Sequence, residues 1–210
     1  MSDERPDGEE TECLLVRAEA GDRAAFDRLF AAYRPYLRRV VELRLDPRLR
    51  PRVDASDVVQ ETHLEALRRL GAYLERRPLP FRLWLRQIAC DCALKARRHH
   101  LGAARRDLGR EVALPEQSSL ALAEQLAAGG STPSGQLDRR ELARRLRQAV
   151  EQLPKADREV ILLRHFEGLS NQEVGCLLGE AAGTVSKRHG RVLLRLHKLL
   201  FAGGLTESQL

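Results

Sequence analysis

Thr184, Ser186, Lys187, Arg188 and Arg191 crowd one short stretch of this 210-residue chain. Their side chains share a chemistry: they donate hydrogen bonds to phosphate oxygens and to the acceptor edges of bases. The residues just before them say how they are held. Ser170 stands three places before Glu173 as a capping box, Val174, Leu177 and Leu178 follow, and Gly179 allows a sharp turn. Val185, Val192, Leu193 and Leu196 then supply an apolar face for a second helix. This spacing predicts a helix-turn-helix whose second helix carries cations on its N-terminal half, the end that meets base edges in the major groove. An ordinary helical hairpin with a solvated basic face is the plain alternative.

Cys90 and Cys92, with His99 or His100, invite a zinc site. On a helix, residues two apart point about 200 degrees away from each other, so both thiols cannot ligate one ion unless the helix breaks. Structural packing is therefore expected, and no metal. Cys13 and Cys176 lack obvious partners. No phosphate-binding glycine loop, HExxH, GxSxG or convincing carboxylate pair stands out, so neither catalysis nor a cofactor is expected.

Composition bounds the elements that must position these groups. Apolar residues make up 43% and aromatics only 4%, which favours an all-helical core of Leu, Val and Ala. The net charge is +6, and lysine stands only at 95, 155, 187 and 198, leaving 32 of the 36 basic residues as arginine. Arginine suits phosphate and base contacts, although a GC-rich genome raises its content without any function attached. No apolar run approaches about 18 residues and the first residues are acidic, so a soluble cytoplasmic protein with no membrane partner is expected. The cysteine spacing fits reduced thiols.

Along the chain, residues 1–12 read as a disordered acidic leader, 13–100 as a helical domain, 101–139 as a linker, 140–200 as a second helical domain and 201–210 as a tail. In the first domain, Phe26, Leu29, Phe30, Tyr33, Leu37, Val40 and Val41 recur at helical spacing, with Pro35 as an expected kink. Asp54, followed three places later by Asp57, opens another helix, and a third runs over about 81–99. Within the linker, 120–128 has the composition of a short helix.

With these residues in place, a family resemblance emerges. Residues 14–100 resemble the region-two domain of bacterial sigma factors, especially the extracytoplasmic-function subfamily, through DVVQE at Asp57–Glu61 and PFRLWLRQIACDCAL at Pro80–Leu94. Residues 140–200 resemble the region-four domain, through LPKADREVILLRHFEGLSNQEVGCLLG at Leu153–Gly179 and TVSKRHGRVLLRL after it. The stretches 43–61 and 96–112 resemble the variant group common in planctomycetes. The implied architecture is two small helical domains joined by a flexible linker.

The implied function is that of a dissociable initiation factor, which binds core RNA polymerase and directs it to promoters. The resemblance implies that Asp57, Val58, Gln60, Glu61, Leu64 and Arg68 form the surface that grips the clamp helices of the beta-prime subunit. Taken alone, Asp57 and Glu61 are also acids that the helix dipole favours. The segment 71–80 and the helix after it are implied to meet the minus-ten element. There Tyr73, Phe81 and Trp84 suit an unstacked base, and Arg82, Arg86, Arg97 and Arg98 suit phosphates. Trp84 serves equally well as a packed core residue.

The resemblance assigns the helix from Ala182 to about Leu196 to the minus-thirty-five element, with the preceding helices on the beta flap. Lys187 and Arg188 are its leading contact residues, Arg191 and Arg195 lie nearer phosphates, and Thr184 and Ser186 complete the set. His189 faces DNA or packs inward. His63 stands where many relatives carry an aromatic residue. Gly183 and Gly190 lower helix propensity by about 1 kcal/mol each, so this element is expected to firm up on DNA or polymerase. An anti-sigma factor is a further partner the resemblance admits. The rival readings are a stand-alone helix-turn-helix regulator that binds operator DNA as a dimer, and a sigma-fold interaction module without promoter activity.

Overall fold

Gly21 and Asp22 show how the chain is divided into helices. The first helix, α1 (Gly8–Glu19), stops before Gly21, whose φ of +89° suits a residue without a β-carbon. Asp22 then caps α2 (Arg23–Arg44), accepting from the Ala25 N–H at 3.1 Å. Asp54 does the same for α3 (Ala55–Arg76), accepting from the Ser56 N–H at 2.8 Å. Arg77 closes α3 in the left-handed region at φ +38°, its N–H donating to Tyr73 O, and Pro78 and Pro80 lead into α4 (Phe81–Leu101). Pro35 sits inside α2 without ending it.

These four helices belong to the first of two compact units, residues 1–113 and 114–210. The computed structural model describes residues 8–45, 49, 52–101, 114, 116–126 and 136–202, all-helical apart from turns and connections. In the first unit α4 lies against both α2 and α3. Phe26, Leu29, Leu37, Leu83, Leu85 and Ile88 are fully buried there, each adding about 1.5–3 kcal/mol of apolar burial.

The disordered leader expected over residues 1–12 is contradicted at residues 8–12. Residues 8–12 belong to α1, where Glu10 pairs with Arg28 at 3.1 Å, Thr11 meets the Tyr33 hydroxyl at 3.2 Å and Glu12 pairs with Arg77. Residues 1–7 lie outside the described residues.

The second unit holds α5 (Glu116–Leu126), α6 (Gln136–Glu151), α7 (Lys155–Ile161), a π-helical turn at Leu162–Phe166, α8 (Asn171–Leu178) and α9 (Ala182–Ala202). Part of the expected linker therefore belongs to this unit: α5 packs on α6 and buries Leu122 and Ala123. Residues 102–113, 127–135 and 203–210 lie outside the described residues. The core is built from Leu146, Val160, Ile161, Phe166, Val174, Val185 and Leu196.

Candidate functional site

The helix-turn-helix is constrained at each joint. At the start of α8 the Glu173 N–H donates to Ser170 Oγ at 3.1 Å, and the Ser170 N–H donates to Glu173 Oε2 at 2.7 Å. Gly179 ends α8 at φ +68°, the left-handed conformation that glycine adopts without cost. Glu180 N–H then donates to Gly175 O at 3.0 Å. A β-carbon at Gly175 would lie 2.5 Å from Glu180 O, so the turn closes only because residue 175 has none.

These constraints fix the face that α9 presents. Val185, Val192, Leu196 and Leu200 point into the core, and α9 runs unbroken through Gly183 and Gly190 because this packing outweighs their low propensity. Thr184, Ser186, Lys187, Arg191 and Arg195 are exposed. Leu194 stands among them with 67% of its surface open. Arg188 is only partly exposed, and its Nη1 donates to Glu180 Oε1 at 2.7 Å.

His189 turns inward: its Nε2 lies 2.8 Å from that of His165, with the rings stacked at 5.0 Å between centroids. Burial, then the neighbouring His189 and Arg164, push His165 down to about 4. His189 is lowered by burial and by Arg164.

In the first unit, Asp57, Gln60, Leu64 and Arg68 lie exposed along α3, with Leu64 52% open. Glu61 shares this side and accepts from Lys95 Nζ on α4 at 2.6 Å, the hydrogen bond that raises the Lys95 pKa. Val58 does not belong to this surface. It is 3% exposed and supports the surface from beneath, because it lies on the opposite side of the helix from Gln60.

The proposed base-stacking group needs a larger correction. Tyr73 stacks on Trp84 at 4.4 Å between centroids, and Phe81 lies 5.6 Å from Tyr73, 5.4 Å from Trp84 and 5.7 Å from Tyr33. All four rings are buried, so they form a core cluster and not a platform open to a base. The Tyr73 hydroxyl donates to Leu79 O at 3.1 Å, and burial pushes its pKa up to about 12. Arg82 and Arg86 are buried as well, with the Arg82 guanidinium 4.1 Å over the Tyr36 ring. The cause is position: α2 and α3 enclose residues 81–86, leaving only Arg97 and Arg98 of that basic set open to solvent, Arg97 in part.

Three features had no signal in the sequence. A cavity of 330 Å³ lies beside the α3–α4 connection, lined by Thr11, Glu12 and Leu15 from α1 and by Tyr73, Arg77 and residues 78–81. Arg77 is held at its edge by Glu12, 65 residues away, a pairing no local pattern announces. Glu180 is the third, reaching across the turn to Arg188. His63 does fill an aromatic place, lying 4.6 Å from the Phe30 ring and 5.5 Å from Phe26, with Nε2 2.9 Å from Asp27 Oδ1. Cys92 is buried beneath α3, Cys90 is half-buried, and Cys13 and Cys176 are exposed. Among the described residues no three metal-ligating side chains converge, and no helix is long and apolar enough to cross a membrane.

Residues 143–196 match the family model for sigma-70 region 4. The chain is 30% identical to the ECF RNA polymerase sigma factor SigD of Mycobacterium tuberculosis over 94% of its own length and 87% of the relative's. It is also 30% identical to the ECF RNA polymerase sigma-E factor of Escherichia coli, over 83% and 86%. The RNA polymerase sigma-H factor of Pseudomonas aeruginosa is 29% identical over 91% and 94%. A solved structure of CnrH in complex with the cytosolic domain of CnrY aligns over 92% of this chain and 98% of that one, with 25% identity and a TM-score of 0.54. With a helix-turn-helix in the second unit and similarity running through both, the chain belongs to the extracytoplasmic-function sigma factors of the sigma-70 family, noncatalytic proteins with a DNA-binding role in transcription.

Proposed function

We propose that this chain binds core RNA polymerase and directs it to promoters through two elements, the first unit at minus ten and the second at minus thirty-five. The observation that carries the reading is the cation-rich outer face of α9, aimed by a capped and sterically closed turn. Lys187, Arg191 and Arg195 supply phosphate contacts, and Thr184, Ser186 and Arg188 lie where a recognition helix meets base edges. Asp57, Gln60, Glu61, Leu64 and Arg68 form the surface for the clamp helices of the beta-prime subunit, and the helices before α9 take the beta flap.

Arg97 and Arg98 remain as minus-ten phosphate contacts, joined by Arg77 at the cavity edge. The buried aromatic rings hold the α3–α4 connection in shape. The assignments of residues 13–100 and 140–200 to regions two and four belong to this reading, as does the planctomycete-like grouping carried by 43–61 and 96–112. The neighbour solved with the cytosolic domain of CnrY supports a protein partner of that kind, an anti-sigma factor, for this chain.

Co-purification with core polymerase, followed by footprinting on promoter DNA, tests the reading. The expected result is a complex that protects two separated elements. Protection of a single dyad-symmetric site by the chain alone would overturn it in favour of a stand-alone regulator.

A further inference from the structure

Arg188 differs from the other cations of the recognition helix in already being held by a carboxylate. Its Nη1–H donates to Glu180 Oε1 at 2.7 Å, with the two side chains 26% and 24% exposed. Among the described residues, Lys187, Arg191 and Arg195 carry no such partner.

Glu180 is itself firmly placed. Its N–H donates to Gly175 O at 3.0 Å, and its carbonyl sits where a β-carbon on residue 175 would come within 2.5 Å. Its second carboxylate oxygen, Oε2, is buried without a hydrogen-bond partner among the described residues, so Arg188, bonded to Oε1, is the one side-chain donor this carboxylate has there.

A carboxylate beside a DNA-binding face repels phosphate, and so lowers affinity for any duplex alike. What it adds is geometry. An unrestrained arginine swings on its long stem to the nearest phosphate. A guanidinium pinned through Nη1 keeps its Nε–Nη2 edge as an oriented pair of donors, the arrangement that matches the two acceptors on the major-groove edge of guanine. We propose that Glu180 is a positioning residue that sets the plane of Arg188 for reading a base edge, making the pair a determinant of sequence specificity more than of affinity. The proposal rests on α9 meeting the minus-thirty-five element.

The test uses the full chain bound to core polymerase and promoter fragments randomised across the upstream element. Base preference and salt dependence are measured for the parent, Glu180→Ala, Glu180→Gln and Arg188→Ala. Glu180→Ala is expected to flatten the preference at one base pair, by about five- to a hundredfold. The same change should tighten binding to non-matching DNA and steepen the log–log salt slope by about 1, as the freed Arg188 moves to a phosphate. Arg188→Ala flattens the same position, and Glu180→Gln, which keeps an acceptor, retains part of the preference.

An unchanged preference in Glu180→Ala, with a changed one in Arg188→Ala, overturns the proposal and leaves α9 as the reading helix. So does equal loss of binding to every sequence in Glu180→Ala and Glu180→Gln together with a lowered melting temperature, which marks a merely structural pair. If Arg188→Ala, Lys187→Ala and Arg191→Ala all leave DNA binding unchanged, the reading of α9 fails and the proposal falls with it.

Discussion

The Nε2 atoms of His165 and His189 lie 2.8 Å apart, joining the π-helical turn to α9 through one hydrogen bond. With both rings neutral, one Nε2–H donates and the other nitrogen accepts; a second proton leaves two donors facing each other. Both groups titrate below the ordinary histidine value of 6.5, His165 at about 4, so the folded unit binds fewer protons than the unfolded chain. The stability they contribute is therefore complete above pH 6.5 and is lost as pH falls towards 4. A loss on the order of 2 kcal/mol is expected over that window, after allowing for partial solvent screening. Thermal melts at pH 7 and pH 4.5 check this. The double variant His165→Leu, His189→Leu should lose less stability on acidification than the parent; an equal loss would place the acid sensitivity elsewhere.

Gly175→Ala forces a methyl group to within 2.5 Å of the Glu180 carbonyl, a backbone atom that cannot swing aside. Overpacking of this kind costs about 1–3 kcal/mol. Denaturant unfolding should show that loss, accompanied by weaker promoter binding as the recognition helix shifts. A variant as stable as the parent would mean the turn is looser than it stands here.

Trp84 is the single tryptophan of the chain and is 8% exposed, stacked on Tyr73. Its fluorescence should report unfolding of the first unit and stay unchanged when single-stranded minus-ten DNA is added to the complex with polymerase. Trp84→Ala should destabilise by about 3–5 kcal/mol through cavity formation. Quenching by DNA in a complex of undisturbed stability would restore the stacking role that burial argues against.

Leu64 is 52% exposed on α3 between Glu61 and Arg68, an apolar side chain that the described residues leave largely open to solvent. Leu64→Asp should leave stability within about 0.5 kcal/mol. It should weaken association with core polymerase at least tenfold, the scale expected when charge enters an apolar contact. Titration of labelled core polymerase reads this directly, and unchanged affinity would remove α3 from the interface.

The helix-turn-helix was legible because its signals are local. Ser170 and Glu173 stand at capping-box spacing, Gly179 supplies the left-handed turn, and Val185, Val192 and Leu196 keep helical period. At residues 81–86, residue type announces stacking or phosphate chemistry, whereas enclosure by α2 and α3 is a property of the assembled unit. Glu12–Arg77 and Glu180–Arg188 escaped for a related reason. The first pair spans 65 residues, and the second crosses the turn between two helices, where helical periodicity is interrupted. In the segment read as linker, the short helix expected over 120–128 is present as α5 at Glu116–Leu126, but its packing on α6, which buries Leu122 and Ala123, depends on residues distant in sequence that no local pattern announces.

Run-off transcription with purified core RNA polymerase on genomic promoter fragments tests the central claim most directly. It compares the parent chain with the double variant Asp57→Ala, Glu61→Ala and with Arg188→Ala. The expected result is factor-dependent transcripts that the double variant abolishes on every promoter and that Arg188→Ala weakens on some promoters more than others. Failure of the parent chain to bind core polymerase or to yield any transcript would contradict promoter-directing function and leave a sigma-like fold with another use.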